Sequence, residues 1–546
     1  MFLFTLLVST TLQAKIVAKY PIKPYIVDST YILEIYLSAD GSKCGIEYFT
    51  THGRTVSRFV LVNNKVYENF YSVSNFKFSP QCSSFGFQFV KGNKYYLQIN
   101  DKTYGGIQHS ILRYEFNNNG SKFIMAYNNG GDDSANWYFD GGQNFVRVNN
   151  RIYGPFDNLD RFGFDPLGSK SVISYNNGGK RNEIGEIVGG QWWLIFGEQK
   201  LGPFVEPVYP TFIQGGNNYW FIYQKGTKEY FNINGKNYGP YDLIQWPCIS
   251  NNGTKYSYVY NRGGMKDTNG VAVGGKYYVS HNGLIYGGYH FIQHLVMSAD
   301  GSNFGFSYYD EKLNKYIRTK DTTYYWQDEK NIDISNLSGD GSVISVSYEL
   351  GGNKYLQIGD SVFNCFDGHS WVTFNNDGTE YAYWFKQDSV CFYKTTNRIY
   401  EKCSNLCNSG FSPCRTKFYI QYRIDGKSYL QVNDDRFGPY ESVFSPIFSK
   451  NDAKINFKYH AHNNIHFYID GNEFELPNNA YNHRFETNDE QSIVQYKLQD
   501  DNEYIRILNN NVLLGPYKKS CFTITQDNEV YISYVKQDTI YIEMIY

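Results

Sequence analysis

The chain has 546 residues, with 51 Lys and Arg against 53 Asp and Glu, a formal net charge of −2 at pH 7, and 53 Tyr, 40 Phe, 50 Gly and 15 Pro. That balance lacks the basic surplus that nucleic acid or an anionic membrane surface calls for. Aromatic residues supply 18% of the chain out of 41% hydrophobic, which excludes wholesale disorder and assigns much of the burial to Tyr and Phe, residues that favour strands.

The first element, residues 1–14, is an apolar run closed by Ala14. It reads as a secretory signal peptide cut after Ala14, with a first β-strand as the alternative. No later segment reaches the roughly 18 apolar residues of a membrane span, so a secreted or periplasmic protein with no membrane span is expected.

Beyond it the chain repeats. A turn such as Ser38-Ala39-Asp40-Gly41-Ser42, Asn252-Gly253-Thr254 or Ser298-Ala299-Asp300-Gly301-Ser302 precedes a run of alternating aromatics such as Tyr256-Ser257-Tyr258-Val259-Tyr260. Asn-Gly and Asp-Gly between alternating runs are strong hairpin signals, because both residues tolerate positive φ. A third strand such as Tyr95-Tyr96-Leu97-Gln98-Ile99 follows, then a short one ending in Gly-Pro-Tyr or Gly-Pro-Phe, seen at Gly154, Gly202, Gly239, Gly438 and Gly515. With decayed copies at Tyr67, Tyr104, Tyr286, Tyr324, Phe363, Tyr400 and Phe474, successive anchors lie 37 to 49 residues apart. Each unit is therefore a four-stranded antiparallel meander, and its repetition predicts an all-β fold of β-propeller blades.

Three units are longer. Their extra residues fall between the second and third strands and share a frame: Asn128-Asn129-Gly130-Gly131 to Gly141-Gly142, Asn176-Asn177-Gly178-Gly179 to Gly189-Gly190, and Asn261-Arg262-Gly263-Gly264 to Gly274-Gly275. These arms belong to the third, fourth and sixth blades and are expected on one face. They nominate a binding surface: Asp132, Asp133 and Trp137, then Arg181, Glu183 and Glu186, then Arg262, Lys266 and Asp267. Loops displayed by a rigid scaffold are where binding residues concentrate, although a tolerated hairpin extension would look the same.

The turn phrase recurs about 13 times, which exceeds the four to eight blades usual for one propeller. The weak anchor at Tyr324, followed by the charged stretch Gln327-Asp328-Glu329-Lys330, places a boundary after Trp326. The expectation is tandem β-propellers, seven blades over 15–326 and six over 327–546, with a split after Tyr286 as the alternative. The last unit stops one strand short, so another segment should cover its open edge. In the seven-plus-six division, 322–326 completes that last blade and 16–20 completes the seventh.

Nine Cys are too few for a disulfide-built scaffold. Cys391, Cys403, Cys407 and Cys414 cluster at spacings that suit one or two local disulfides better than zinc. His460, His462 and His466 bracket a hairpin tip with only Asp470 nearby, and the register decides whether they share a face. Surface histidines are expected and no metal site. Asn119, Asn252 and Asn336 stand in glycosylation sequons, the first two inside hairpin turns.

Phe78-Ser79-Pro80 and Phe374-Asn375-Asn376-Asp377-Gly378-Thr379-Glu380-Tyr381-Ala382-Tyr383 resemble the Phe-Ser-Pro-Asp-Gly element of the WD40-like repeats in TolB-type propellers. The resemblance runs in weakened form along almost the whole chain. It implies protein binding or scaffolding and carries over no catalytic residue, since fold does not fix function. Nucleophile elbow, phosphate loop, His-Glu-x-x-His and dinucleotide motifs are all missing from the sequence, so no catalytic residue is nominated and no cofactor is expected. The expected function is a non-catalytic β-propeller with a protein partner. A glycan-binding or glycan-processing propeller is the alternative, because exposed Tyr and Trp suit both.

Overall fold

The computed structural model describes residues 14–545 apart from 22–28, 53–54, 109, 134–138, 183, 185, 214–215, 268–269, 326–329, 367, 370–371, 376–377, 388–389, 397–398, 404, 413, 415, 450, 489, 510–511 and 537–538. The described residues build 13 four-stranded antiparallel blades of β-propeller type, as the repeats imply. Blade 1 shows the plan: Ser29–Leu37, Cys44–His52, Thr55–Val62 and Lys65–Phe70 pair in sequence order. Eleven more blades follow in chain order, and blade 13 opens at Ser520–Ile524. Blades 8 and 9 are joined by a single parallel bridge, Phe366 opposite Lys386.

By contacts the chain forms two compact units. One holds residues 1–164, 181–186 and 447–546, and the other holds 165–180 and 187–446.

Aromatic alternation explains the core. A strand flanked by neighbouring blades buries both faces, so the central strands read as near-continuous apolar runs. Tyr258, Tyr260, Phe231, Phe304 and Phe306 are among the largest fully buried side chains. Phe231 and Ile233 of blade 5 pack on Tyr258 and Tyr260 of blade 6, and Val60, Val62 and Phe70 of blade 1 pack on Phe87 and Phe89 of blade 2. The core is thus a series of seams between adjacent sheets.

The Ser-x-Asp-Gly-Ser turns link the first and second strands and are tied internally. Asp300 accepts the Ser302 amide at 2.9 Å and the Ser298 hydroxyl at 2.7 Å, which holds its carboxyl below the usual range. Successive turns also bond to each other: the Asn251 amide donates to Ala299 O and the Ala299 amide to Gly339 O, both at 2.8 Å. One short phrase therefore makes a hairpin and a blade-to-blade link.

The chain ends differ from the expected closure. Residues 16–20 do not complete the seventh blade: Ala14–Pro21 pairs antiparallel with Thr539–Ile545 and supplies the fourth strand of blade 13. The segment expected on the last blade stays local instead: Thr323–Tyr325 pairs with Lys315–Thr319 and completes blade 7, and Trp326 lies outside the described residues. The physical reason lies in side chains. Ala18 and Tyr20 pack on a cluster containing Ile35, Ile46, Ile540 and Ile542, whereas Tyr325 stacks on Tyr316 of its own blade at 4.8 Å.

Candidate functional site

All three arms are two-stranded extensions of the second hairpin, as the shared frame predicts. In blade 3, Phe123–Asp133 pairs with Phe139–Val148, with Asp132 opposite Asp140 and Asp133 opposite Phe139. Trp137 and Glu183 lie outside the described residues, as do the side chains of Asp132 and Asp133. In blade 4, Ser171–Arg181 leads to Ile187–Phe196. Its tip is closed by Asn182, whose side-chain oxygen accepts the amides of Ile184 at 3.2 Å and Glu186 at 2.8 Å. Asn182 also donates its side-chain amide to Glu186 at 3.3 Å.

The Asn-x-Gly-Gly frame has a steric cause. Asn261 donates its side-chain amide across the arm to Gly274 O at 3.2 Å, and Asn176 does the same to Gly189 O at 3.1 Å. This crossing brings the two backbones together. A Cβ on Gly275, at φ +71°, would lie 2.4 Å from the Gly264 nitrogen, so only glycine fits there.

The blade 6 arm, Tyr256–Lys266 with Ala272–His281, shows the most complete geometry. Its base is strapped to blade 5 by two carboxylates, one buried and one largely so. Asp242 accepts the Gly263 amide at 2.7 Å and pairs with Lys228. Glu229 accepts the Ile244 amide at 2.6 Å and pairs with Lys266. Arg262 lies over the rings of Tyr241 at 5.4 Å and Tyr260 at 5.3 Å. Asp267 closes the tip by accepting the Val271 amide at 2.9 Å. Of the three nominated residues, Arg262 and Lys266 thus sit at the arm's base and Asp267 closes its tip.

What the arm presents is apolar. Met265 stands directly opposite Val273, and their side chains are 80% and 62% exposed, with Val271 exposed beside them. The blade 4 arm carries Ile184 at 77% and Val188 at 60% exposure. The residues nominated from the sequence, charged ones and Trp137, do not include these apolar side chains. The available signal was apolar residues beyond the Gly-Gly frame, where the arm has left its neighbouring blades.

The remaining candidates sit as follows. A two-residue turn, His462-Asn463, both at positive φ, separates Ile455–Ala461 from Asn464–Ile469. His466 lies opposite Tyr459 and stacks on it at 5.0 Å, one register step from His460, so the three histidines do not share a face. Among the described residues no group of three His, Cys, Asp or Glu is placed to hold a metal ion. Cys391 is the direct cross-strand partner of Cys403, Cys414 is exposed, and the side chains of Cys391, Cys403 and Cys407 lie outside the described residues. Asn119 and Asn252 act as turn acceptors, taking the amides of Ser121 at 3.0 Å and Thr254 at 3.1 Å, while Asn336 donates to Val372 O at 2.9 Å. No helix among the described residues is long and apolar enough to cross a membrane.

No protein-family model and no curated protein matches the chain. Among solved structures, it is similar to the β-propeller domain of the Trilobed protease from Pyrococcus furiosus, at 11% identity and a TM-score of 0.27, over 50% of this chain and 98% of that one. A eukaryotic initiation factor aligns at 10% identity and a TM-score of 0.30, over 95% of this chain and 98% of that one. A chain from a study of two prolyl endopeptidases aligns at 10% identity and a TM-score of 0.27, over 54% of each chain. The alignment thus spans about half the length of that endopeptidase chain.

Proposed function

We propose that this chain is a non-catalytic β-propeller that binds a protein partner, with the blade 6 arm as a primary contact. The observation that carries the reading is the cross-strand pair Met265 and Val273, held out in solvent on a base fixed by Asp242 and Glu229. Apolar side chains on a rigid protrusion lose little conformational entropy on binding and gain by leaving water, which suits a protein surface with a complementary pocket. The arms of blades 3 and 4 are further candidate contacts, each on its own terms. Kinship with the WD40-like repeats of TolB-type propellers and export through residues 1–14 belong to the same reading.

The test is recovery of the native partner with purified full-length bait. Wild-type protein should retain it. The double variant Met265→Ser, Val273→Ser should lose at least tenfold in affinity with an unchanged circular dichroism spectrum, because two buried anchors are each worth more than about 1 kcal/mol. Unchanged affinity in that variant would place the contact elsewhere.

A further inference from the structure

Far from the arm in sequence, a cavity of about 840 Å³ is lined by residues of blades 1, 2, 12 and 13, all within the unit that holds residues 14–164 and 447–545. Its volume is in the range that takes up a small organic molecule. The sequence gives no hint of it, since the lining residues come from stretches near 34–39, 76–80, 483–503 and 519–523.

Its charge is unbalanced at one place. Glu503, whose side chain is 5% exposed, stands on the wall with both oxygens engaged. One oxygen accepts the Ser520 amide at 2.7 Å, the Ser520 hydroxyl at 3.0 Å and the Gln495 amide at 3.1 Å. The other faces two ammonium groups, Lys497 at 3.2 Å and Lys519 at 3.9 Å. Two cations thus converge on one carboxylate oxygen, and each ammonium has three donors. Partial burial keeps water from screening the surplus, so a further anion beside the two lysines is favoured.

Three other ionisable groups of the lining have their own partners. Arg484 is paired with Glu486, its Nε donating at 2.9 Å, and lies over the Phe522 ring at 4.9 Å. Lys77 donates to Tyr114 O at 2.5 Å. His483 takes a hydrogen bond from Lys458 at 3.1 Å, and burial together with that ammonium lowers its pKa below the usual imidazole value. Glu34, on blade 1, is the remaining carboxylate of the lining. The rings of Tyr36 and Phe78, both partly exposed, give the cavity apolar wall against which a flat or cyclic ligand body can rest.

We propose that this cavity binds a small cyclic organic anion, its phosphate or carboxylate seated on Lys497 and Lys519 and its ring against the aromatic wall. Isothermal titration of the full chain at low salt with glucose 6-phosphate, glucuronate and glucose tests this and separates the two anion types. At least one of the two anions should bind, and neutral glucose should not. Lys497→Gln with Lys519→Gln should weaken the bound anion at least tenfold. Glu503→Gln keeps the hydrogen-bonding shape while freeing both ammonium groups, so it should tighten binding several-fold. That opposite direction guards against a lysine variant that merely unfolds. Failure of both anions to bind, equal binding of glucose, unchanged affinity in the lysine variant, or weaker binding in Glu503→Gln would each overturn the proposal.

Discussion

Replacing Gly515 by Ala isolates the physics of the repeat phrase that ends the units. Gly515 sits at φ +123°, and a Cβ there would lie 2.9 Å from the Glu503 carbonyl oxygen and 3.0 Å from the Tyr504 ring. Alanine in that backbone region costs about 1–3 kcal/mol, and pushing the third strand aside adds about 1–3 kcal/mol, so about 3 kcal/mol in all is expected. Gly226 is the control: it also has positive φ, at +60°, but nothing lies within 4 Å of its Cβ position. Only the backbone cost of about 1 kcal/mol then applies. A chain of many blades is not expected to unfold in one step, so the readout should be local. Peptide-resolved hydrogen exchange of Glu503–Ile507 should accelerate about 100-fold in Gly515→Ala. The strands flanking Gly226 should accelerate only about fivefold in Gly226→Ala. Equal acceleration in the two variants would refute the claim that close approach to the neighbouring strand, rather than turn conformation alone, reserves this position for glycine.

Deleting residues 1–21 should expose the Thr539–Ile545 edge and lower the melting temperature by several degrees with onset of aggregation, whereas deleting 1–13 should leave both unchanged; scanning calorimetry with size exclusion checks this. His281 is buried, stacked on Phe304 at 4.4 Å and bonded to Ser257 at 2.7 Å, and burial lowers its pKa from 6.5 to about 4. The unfolded chain therefore takes up that proton first, so stability should hold above about pH 6.5 and fall by on the order of 2 kcal/mol as the pH drops toward 4. Urea titrations at several pH values should show a flatter acid limb in His281→Gln. Glu229→Gln should release Lys266 and cost about 1.5–3 kcal/mol, seen as faster exchange and easier proteolysis of the blade 6 arm.

The blades were legible because their signals are local. Asp-Gly turns, alternating aromatics and Gly-Pro-Tyr endings each lie within one hairpin, so a period near 37 carries over directly into four-stranded sheets. The closure was not legible, because Ala14–Pro21 and Thr323–Tyr325 both come from short alternating stretches of similar pattern. The choice between them rests on which ones meet Ile540 and Ile542, more than 500 residues from Tyr20. The arms were legible from their glycine frames, yet the charges nominated there include Arg262 and Lys266, which anchor the base. Met265 and Val273 read as ordinary alternation until the arm is seen to project beyond the sheets that would cover it. Glu503, Lys497 and Lys519 were invisible as a set, since Lys519 lies in the link between blades 12 and 13 and meets Glu503 only once the two sheets pack.

Site-specific photo-crosslinking is the most direct test of partner binding through the blade 6 arm. A benzophenone side chain placed at Met265 should join the chain to a protein partner. The same group at Gly226, in the short two-residue turn that occupies the equivalent place in blade 5, should not. Adducts of equal yield from both positions, or from Gly226 alone, would contradict it.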